Sequence, residues 1–258
     1  MHMLVSNPST DYFNVSDYSL INDALQQTIT TSCTTVMPTA PTAPTQTITT
    51  TTPTPTTTVT TSIPPPPPGC TSSLVDIVIV VDASGSITPN DFTIIQNFIT
   101  TFVTNLDVDS GNTRVGLVSF SNASEPRWNL NTYSRRADIV AQVNALSQSA
   151  GTTNTADALN YVRTTMLTAA AGDRPNTANL VILLTDGGSN NGASTLAEAF
   201  LVRQMATIVA IGVGNWLSMY ELNNVASYPY QANVIFVNNF TVLQSFSAKL
   251  RDVICLSK

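Results

Sequence analysis

The segment LVDIVIVVDASGSITPNDF, Leu74 to Phe92, constrains the chain more than any other. Its first half is apolar enough to be buried on both faces, which is how a strand reads when helices cover a parallel sheet on each side. A strand that only filled a core would end in ordinary turn residues. This one ends on Asp82, continues through Ser84 and Ser86, and enters a helix start at Thr88-Pro89-Asn90-Asp91, with Thr88 as cap and Pro89 at the first position. Ile95, Ile99, Phe102 and Leu106 then recur at helical spacing.

The same texture repeats along the rest of the chain. DIVIVVD (76–82), TRVGLVSF (113–120), NLVILLTD (179–186), TIVAIGVG (207–214) and NVIFV (233–237) are short Val/Ile/Leu-rich runs bounded by turn residues. EPRWNL after the second run reads as an edge hairpin partner. Helical patterns fill the gaps at about 135–147, 155–170, 194–206, 217–226 and 240–254. The fold class is therefore α/β: a doubly wound, mostly parallel sheet over residues 70–258, with helices on both faces. In such sheets the ligand crevice lies beyond the carboxyl ends of the strands, where the strand order reverses.

The preceding residues are of another kind. Between Asp23 and Asp76 there is no charged side chain, and 19 of the 35 residues from Thr28 to Ser62 are threonine. Such a tract buries too little apolar surface to offset the entropy of ordering, and its prolines favour an extended polyproline form. Residues 1–27 read as a poorly ordered segment and 28–69 as a linker, either a mucin-like O-glycosylated stalk or a bare spacer. Asn14, Asn122 and Asn239 begin N-glycosylation sequons, which fit a secreted chain. No run is long and apolar enough to span a membrane. The first residues lack a basic n-region and an uninterrupted apolar stretch, so the chain is a fragment or mature form, has lost its start, or stays inside the cell. A net charge of −6 without a basic cluster beyond Arg135-Arg136 argues against nucleic acid.

Three motifs fall at one edge of the expected sheet: Asp82-Ala83-Ser84-Gly85-Ser86, Thr153-Asn154-Thr155 at a helix start, and Thr185-Asp186-Gly187. Each alone is ordinary capping or turn chemistry. Together they are an oxygen-only donor set, without His or Cys, suited to a hard cation such as Mg²⁺. In this combination the chain resembles the von Willebrand factor type A family over Cys70 to Lys258, whose metal-ion-dependent adhesion site is an Asp-x-Ser-x-Ser loop with a distant Thr and a distant Asp. The resemblance implies that Asp82, Ser84, Ser86, Thr153 and Asp186 hold Mg²⁺, or Mn²⁺ in its place. It also implies an open position that accepts an Asp or Glu carboxylate from a protein partner. AIGVGNWLSMYELNNVAS passes directly from strand to helix, without the extra helix of the integrin members, and so resembles the matrilin and von Willebrand factor branch.

Cys70 precedes the first strand and Cys255 ends the last helix, at what would be the face opposite the crevice, and similar flanking bridges occur in the resembled family. A disulfide there would contribute roughly 5 kcal/mol in the chain-entropy account. Cys33 is left over, free or paired elsewhere. The only histidine is His2, which excludes Ser-His-Asp and Cys-His catalysis in the folded part, and Gly212-Val213-Gly214 lacks the third glycine of a dinucleotide loop. The expectation is a non-enzymatic, secreted adhesion or matrix protein; the alternative is an intracellular or structural assembly module whose metal site is not used for adhesion. Loops 121–127, 188–193 and 215–217 are expected to set the partner, with Trp128 and Trp216 in or near them as core or contact residues.

Overall fold

The computed structural model describes residues 74–243 of the 258-residue chain. The segments 1–27 and 28–69, Asn14 and the three cysteines lie outside the described residues, as does most of the helix expected at 240–254. Six strands form the sheet: β1 (Val75–Asp82), β2 (Thr113–Phe120), β3 (Ser124–Trp128), β4 (Ala178–Gly187), β5 (Thr207–Trp216) and β6 (Val234–Val237). Their order is β3-β2-β1-β4-β5-β6, and all neighbours are parallel except β3, which returns antiparallel along the edge of β2. That edge strand carries Pro126, a residue that cannot donate to a ladder and is confined to sheet margins. The expected edge partner of the second strand is thus present.

β1 shows why these runs are continuous in the sequence. Ile77, Ile79 and Val81 enter one core and Val78 and Val80 the other, all of them buried. The first core is closed by α1 (Pro89–Thr104), α2 (Arg136–Asn144) and α7 (Phe240–Leu243). The second is closed by α3 (Thr155–Tyr161) and α4 (Gly192–Val202), with Val225 of α5 (Met219–Val225). A short α6 (Tyr230–Asn233) precedes β6 and was not legible as a separate element.

Two helices are shorter than their periodicity suggests. The pattern at 155–170 becomes α3, then a wide π turn at Val162–Met166 and a 3₁₀ turn at Ala169–Ala171. The Thr164 hydroxyl donates back to the Asn160 carbonyl, a bond that bends helices, and the widened turn lets Val162, Met166 and Leu167 all face the sheet. α2 stops at Asn144, where the Gln96 amide donates to the carbonyls of Val143, Asn144 and Leu146 and so satisfies groups a helix end leaves orphaned. Residues 145–150 are thereby released to cross the carboxyl end of the sheet.

The amino end of the sheet is tied by a charge pair. Asp76 is fully buried in β1, and its carboxylate accepts from the Arg174 backbone N–H (2.8 Å) and from Arg174 Nε (2.9 Å). The same guanidinium donates to the carbonyls of Val75, Gly111 and Asn112. Removing one member of a buried, hydrogen-bonded pair leaves the other charge uncompensated, at about 3–5 kcal/mol. Arg174→Met should therefore lower the unfolding free energy by about that amount in a denaturant titration, without a change in slope. A loss below about 1 kcal/mol would show that water replaces the arginine.

Candidate metal centre

The chain leaves β1 to one side for β2 and β3, then crosses to β4 on the other, so the strand order reverses between β1 and β4. Their carboxyl ends open the crevice there, and each supplies an aspartate. Asp82 closes β1; Asp186 is the penultimate residue of β4. Asp82 is fully buried, and one carboxylate oxygen accepts the Ser84 N–H (2.9 Å), turning the loop back over the strand end. The other accepts the Thr185 hydroxyl across the β1–β4 boundary (2.7 Å).

From this anchor the donors form a chain of contacts. The Ser84 and Ser86 hydroxyl oxygens are 3.1 Å apart, and the Ser86 hydroxyl donates to Asp186 Oδ1 (2.8 Å). Asp82, Ser84, Ser86 and Asp186 are thus brought together. Thr153 stands on the adjoining loop and is not hydrogen-bonded to those four; its hydroxyl has no hydrogen bond within the described residues. Its loop is fastened to the serine loop by the backbone, with Gly85 N–H donating to the Gly151 carbonyl (2.9 Å) and Ala150 N–H to the Ala83 carbonyl (3.0 Å). The Gln148 amide donates to the carbonyls of Ser84 and Ile87, which fixes the serine loop from outside.

Several of these supports were not found from the sequence. Thr185 had a signal, a hydroxyl at the end of an apolar run beside the aspartate, whereas Gln148 had none. Trp128 is buried, with its indole N–H on the Val115 carbonyl (3.1 Å) and its ring edge-on to Tyr133, so it is core. The loops also differ in extent: 121–127 is a tight turn plus most of β3, α4 begins at Gly192, and β5 continues to Trp216 before Ser218 caps α5. The passage from strand to helix is direct, as expected.

Charge decides what the crevice can hold. Burial pushes the Asp82 carboxyl above the ordinary range, and hydrogen bonds from Ser84 and Thr185 only partly oppose it. Asp186 is raised as well, first by burial and then by the nearby Asp82 charge, against the Ser86 hydrogen bond. Neither carboxylate is in an ion pair among the described residues. Two neighbouring acids with no cationic partner, joined by hydroxyls that can turn their lone pairs inward, fit a hard divalent ion in chemistry. Among the described residues no three His, Cys, Asp or Glu side chains group together, so a soft-ligand or all-acid site is not offered.

The von Willebrand factor type A domain model matches residues 76–249, more than half of the chain. The chain belongs to this family. Human matrilin-1 is 31% identical over 193 residues, which are 74% of this chain and 38% of matrilin-1. The mouse collagen alpha-4(VI) chain is 31% identical over 186 residues, 71% of this chain and 8% of the collagen. Among solved structures, proximal thread matrix protein 1 of the mussel byssus, with a zinc-occupied MIDAS motif, superposes at a TM-score of 0.66 with 27% identity, covering 71% of this chain and 48% of the other. The chain spans less than half the length of each of these relatives. The type A fold places both aspartates at the switch point of its sheet.

The raised carboxyl values have a consequence for the metal-free type A domain. A folded-state value above the unfolded one means that the folded chain holds the proton more tightly, so the contribution to stability is complete below the ordinary carboxylate range and is lost as pH rises through the raised values. Asp82→Asn removes that loss. Its amide oxygen still accepts the Ser84 N–H, while its NH₂ faces Thr185 Oγ1, whose proton turns to the Gly187 carbonyl 3.1 Å away. In EDTA, Asp82→Asn should melt higher than the parent at pH 7, and the difference should shrink toward about pH 4. A variant that melts lower at pH 7 would contradict this electrostatic account.

Proposed function

We propose that the chain is an extracellular, non-enzymatic adhesion or matrix protein that holds Mg²⁺, or Mn²⁺ in its place, at Asp82, Ser84, Ser86, Thr153 and Asp186. The observation that carries this reading is the pair of carboxylates at the switch point, one buried and one half-buried, without a cationic partner among the described residues and linked by the Ser84 and Ser86 hydroxyls. The family, the matrix relatives and the zinc-occupied motif of the byssus protein support it. Bound, the ion would supply Lewis acidity toward an incoming oxygen.

The chain's own residues do the rest. Asp82 is held rigid by Ser84 and Thr185, so it cannot swing out to meet a partner, and half-buried Asp186 faces the mouth through its bond to Ser86. Five donors, three of them neutral hydroxyls, would leave a position of a near-octahedral shell open to an incoming oxygen. An Asp or Glu side chain of a partner protein supplies it. In the same reading residues 28–69 are a mucin-like linker, Cys70 and Cys255 are bridged, and Asn14, Asn122 and Asn239 carry glycans.

Calorimetric titration of Mn²⁺ and Mg²⁺ into the full chain tests the site. The parent should bind one ion, and Thr153→Ala and Asp186→Ala should each weaken binding at least about 10-fold, since even outer partners of ligands are worth that much. Adhesion of the immobilised chain to a matrix-protein coat should require Mg²⁺, be lost in EDTA and be lost in both variants. Adhesion unchanged in EDTA would refute the metal-dependent reading, and no ion binding by the folded parent would refute the site.

A further inference from the structure

The sequence marks Asn122 as the start of a sequon within a loop expected to set the partner, yet its side chain faces the loop that carries Thr153. Asn122 lies in the turn between β2 and β3. Its Oδ1 accepts both the Thr152 N–H (2.9 Å) and the Thr152 hydroxyl (2.9 Å), which uses both lone pairs of one carbonyl oxygen. From the opposite side Asn190, in the loop between β4 and α4, donates its Nδ2 to the same Thr152 hydroxyl (2.8 Å). Asn190 also accepts the Thr153 N–H at Oδ1 (3.1 Å) and donates its own N–H to the Thr153 carbonyl (2.8 Å). Asn154, next in sequence, donates its side-chain amide to the Asn122 carbonyl (3.0 Å) and its N–H to the Ser121 carbonyl (2.8 Å).

We propose that Asn122 is a positioning residue for the metal site: with Asn190 it clamps Thr152 and so fixes where the Thr153 hydroxyl stands. This rests on the reading of Thr153 as a metal donor. Nothing in the primary donor set holds Thr153, which makes no hydrogen bond to Asp82, Ser84, Ser86 or Asp186, so its place is set by what grips its backbone. Gly151 supports the same conclusion independently. A Cβ there would lie 2.8 Å from Asn122 Oδ1 and 2.9 Å from Nδ2, and its φ of +110° is one that residues with a side chain rarely adopt. The glycine lets the loop run directly against the Asn122 amide. The clamp joins three loops, after β2, before α3 and after β4, and thereby ties the Thr153 segment to the loop that follows Asp186.

The clamp needs only the acceptor oxygen. Asn122→Asp keeps it, whereas Asn122→Ala removes it, and Ser124→Ala destroys the sequon but leaves the amide in place. Full-length chain expressed without glycosylation is titrated with Mn²⁺, and amide hydrogen exchange is measured in EDTA. Expected are a drop of about 10-fold in Mn²⁺ affinity for Asn122→Ala, with parent affinity for Asn122→Asp and Ser124→Ala. Thr152→Val, which removes the hydroxyl shared by the two amides, should lower affinity in the same direction. In metal-free Asn122→Ala the Thr152 and Thr153 amides should exchange faster than in the parent, while those of β1 do not change. Parent-like affinity and parent-like exchange in Asn122→Ala overturn the clamp. If the parent itself binds no Mn²⁺, the metal reading fails, and exchange at Thr152 and Thr153 still decides the clamp.

Discussion

A carboxylate buried at the end of the central strand organises this end of the molecule. Asp82 is closed off from water with no cationic side chain paired to it among the described residues, and it holds its place through one bond to the loop that follows and one to Thr185 on the neighbouring strand. The second of these bonds spans the boundary where the sheet's strand order reverses, so a carboxylate that burial disfavours also fastens the crevice. The Ser84 turn, the Ser86 contact to Asp186 and the loop at 147–154 that closes over them are all built around it. An electrostatic debt at this position is tolerable in a fold whose two cores are fully packed on either side of β1.

The opposite end of the sheet solves the same problem in the other way. Asp76, six residues earlier on the same strand, is equally buried, but Arg174 meets it with three contacts and spends its remaining donors on backbone carbonyls. One aspartate is paired within the chain and serves the fold. The other has no cationic partner among the described residues, and that contrast within one strand is the physical argument for the proposed ligand at the carboxyl end.

Much of this was legible in the sequence, for reasons that are local. Strands covered on both faces announce themselves as unbroken Val/Ile/Leu runs, and the Thr88 cap is realised as its bond from the Asp91 N–H. The serine loop was readable because its donors are adjacent. Thr153 and Asp186 were readable only through family resemblance, since nothing in their own neighbourhoods distinguishes them from caps and turns. What stayed hidden depends on contacts far apart in the chain: Arg174 to Asp76 across 98 residues, Asn122 to Thr152 across 30, Gln148 to Ser84 across 64. The π turn after α3 was equally hidden, because helical periodicity continues through it while threonine hydroxyls and sheet packing set its width.

The claim on which the rest turns is that the unpaired carboxylates and their hydroxyls form one cation site. Crystals grown with Mn²⁺ and recorded at its absorption edge would test it most directly. The account predicts one anomalous peak at the β1–β4 switch point, within about 2–2.5 Å of Ser84 Oγ and Ser86 Oγ, with Thr153 Oγ1 reaching it directly or through water. A peak elsewhere, or none while Asp82 and Asp186 keep their present hydrogen bonds, would contradict it.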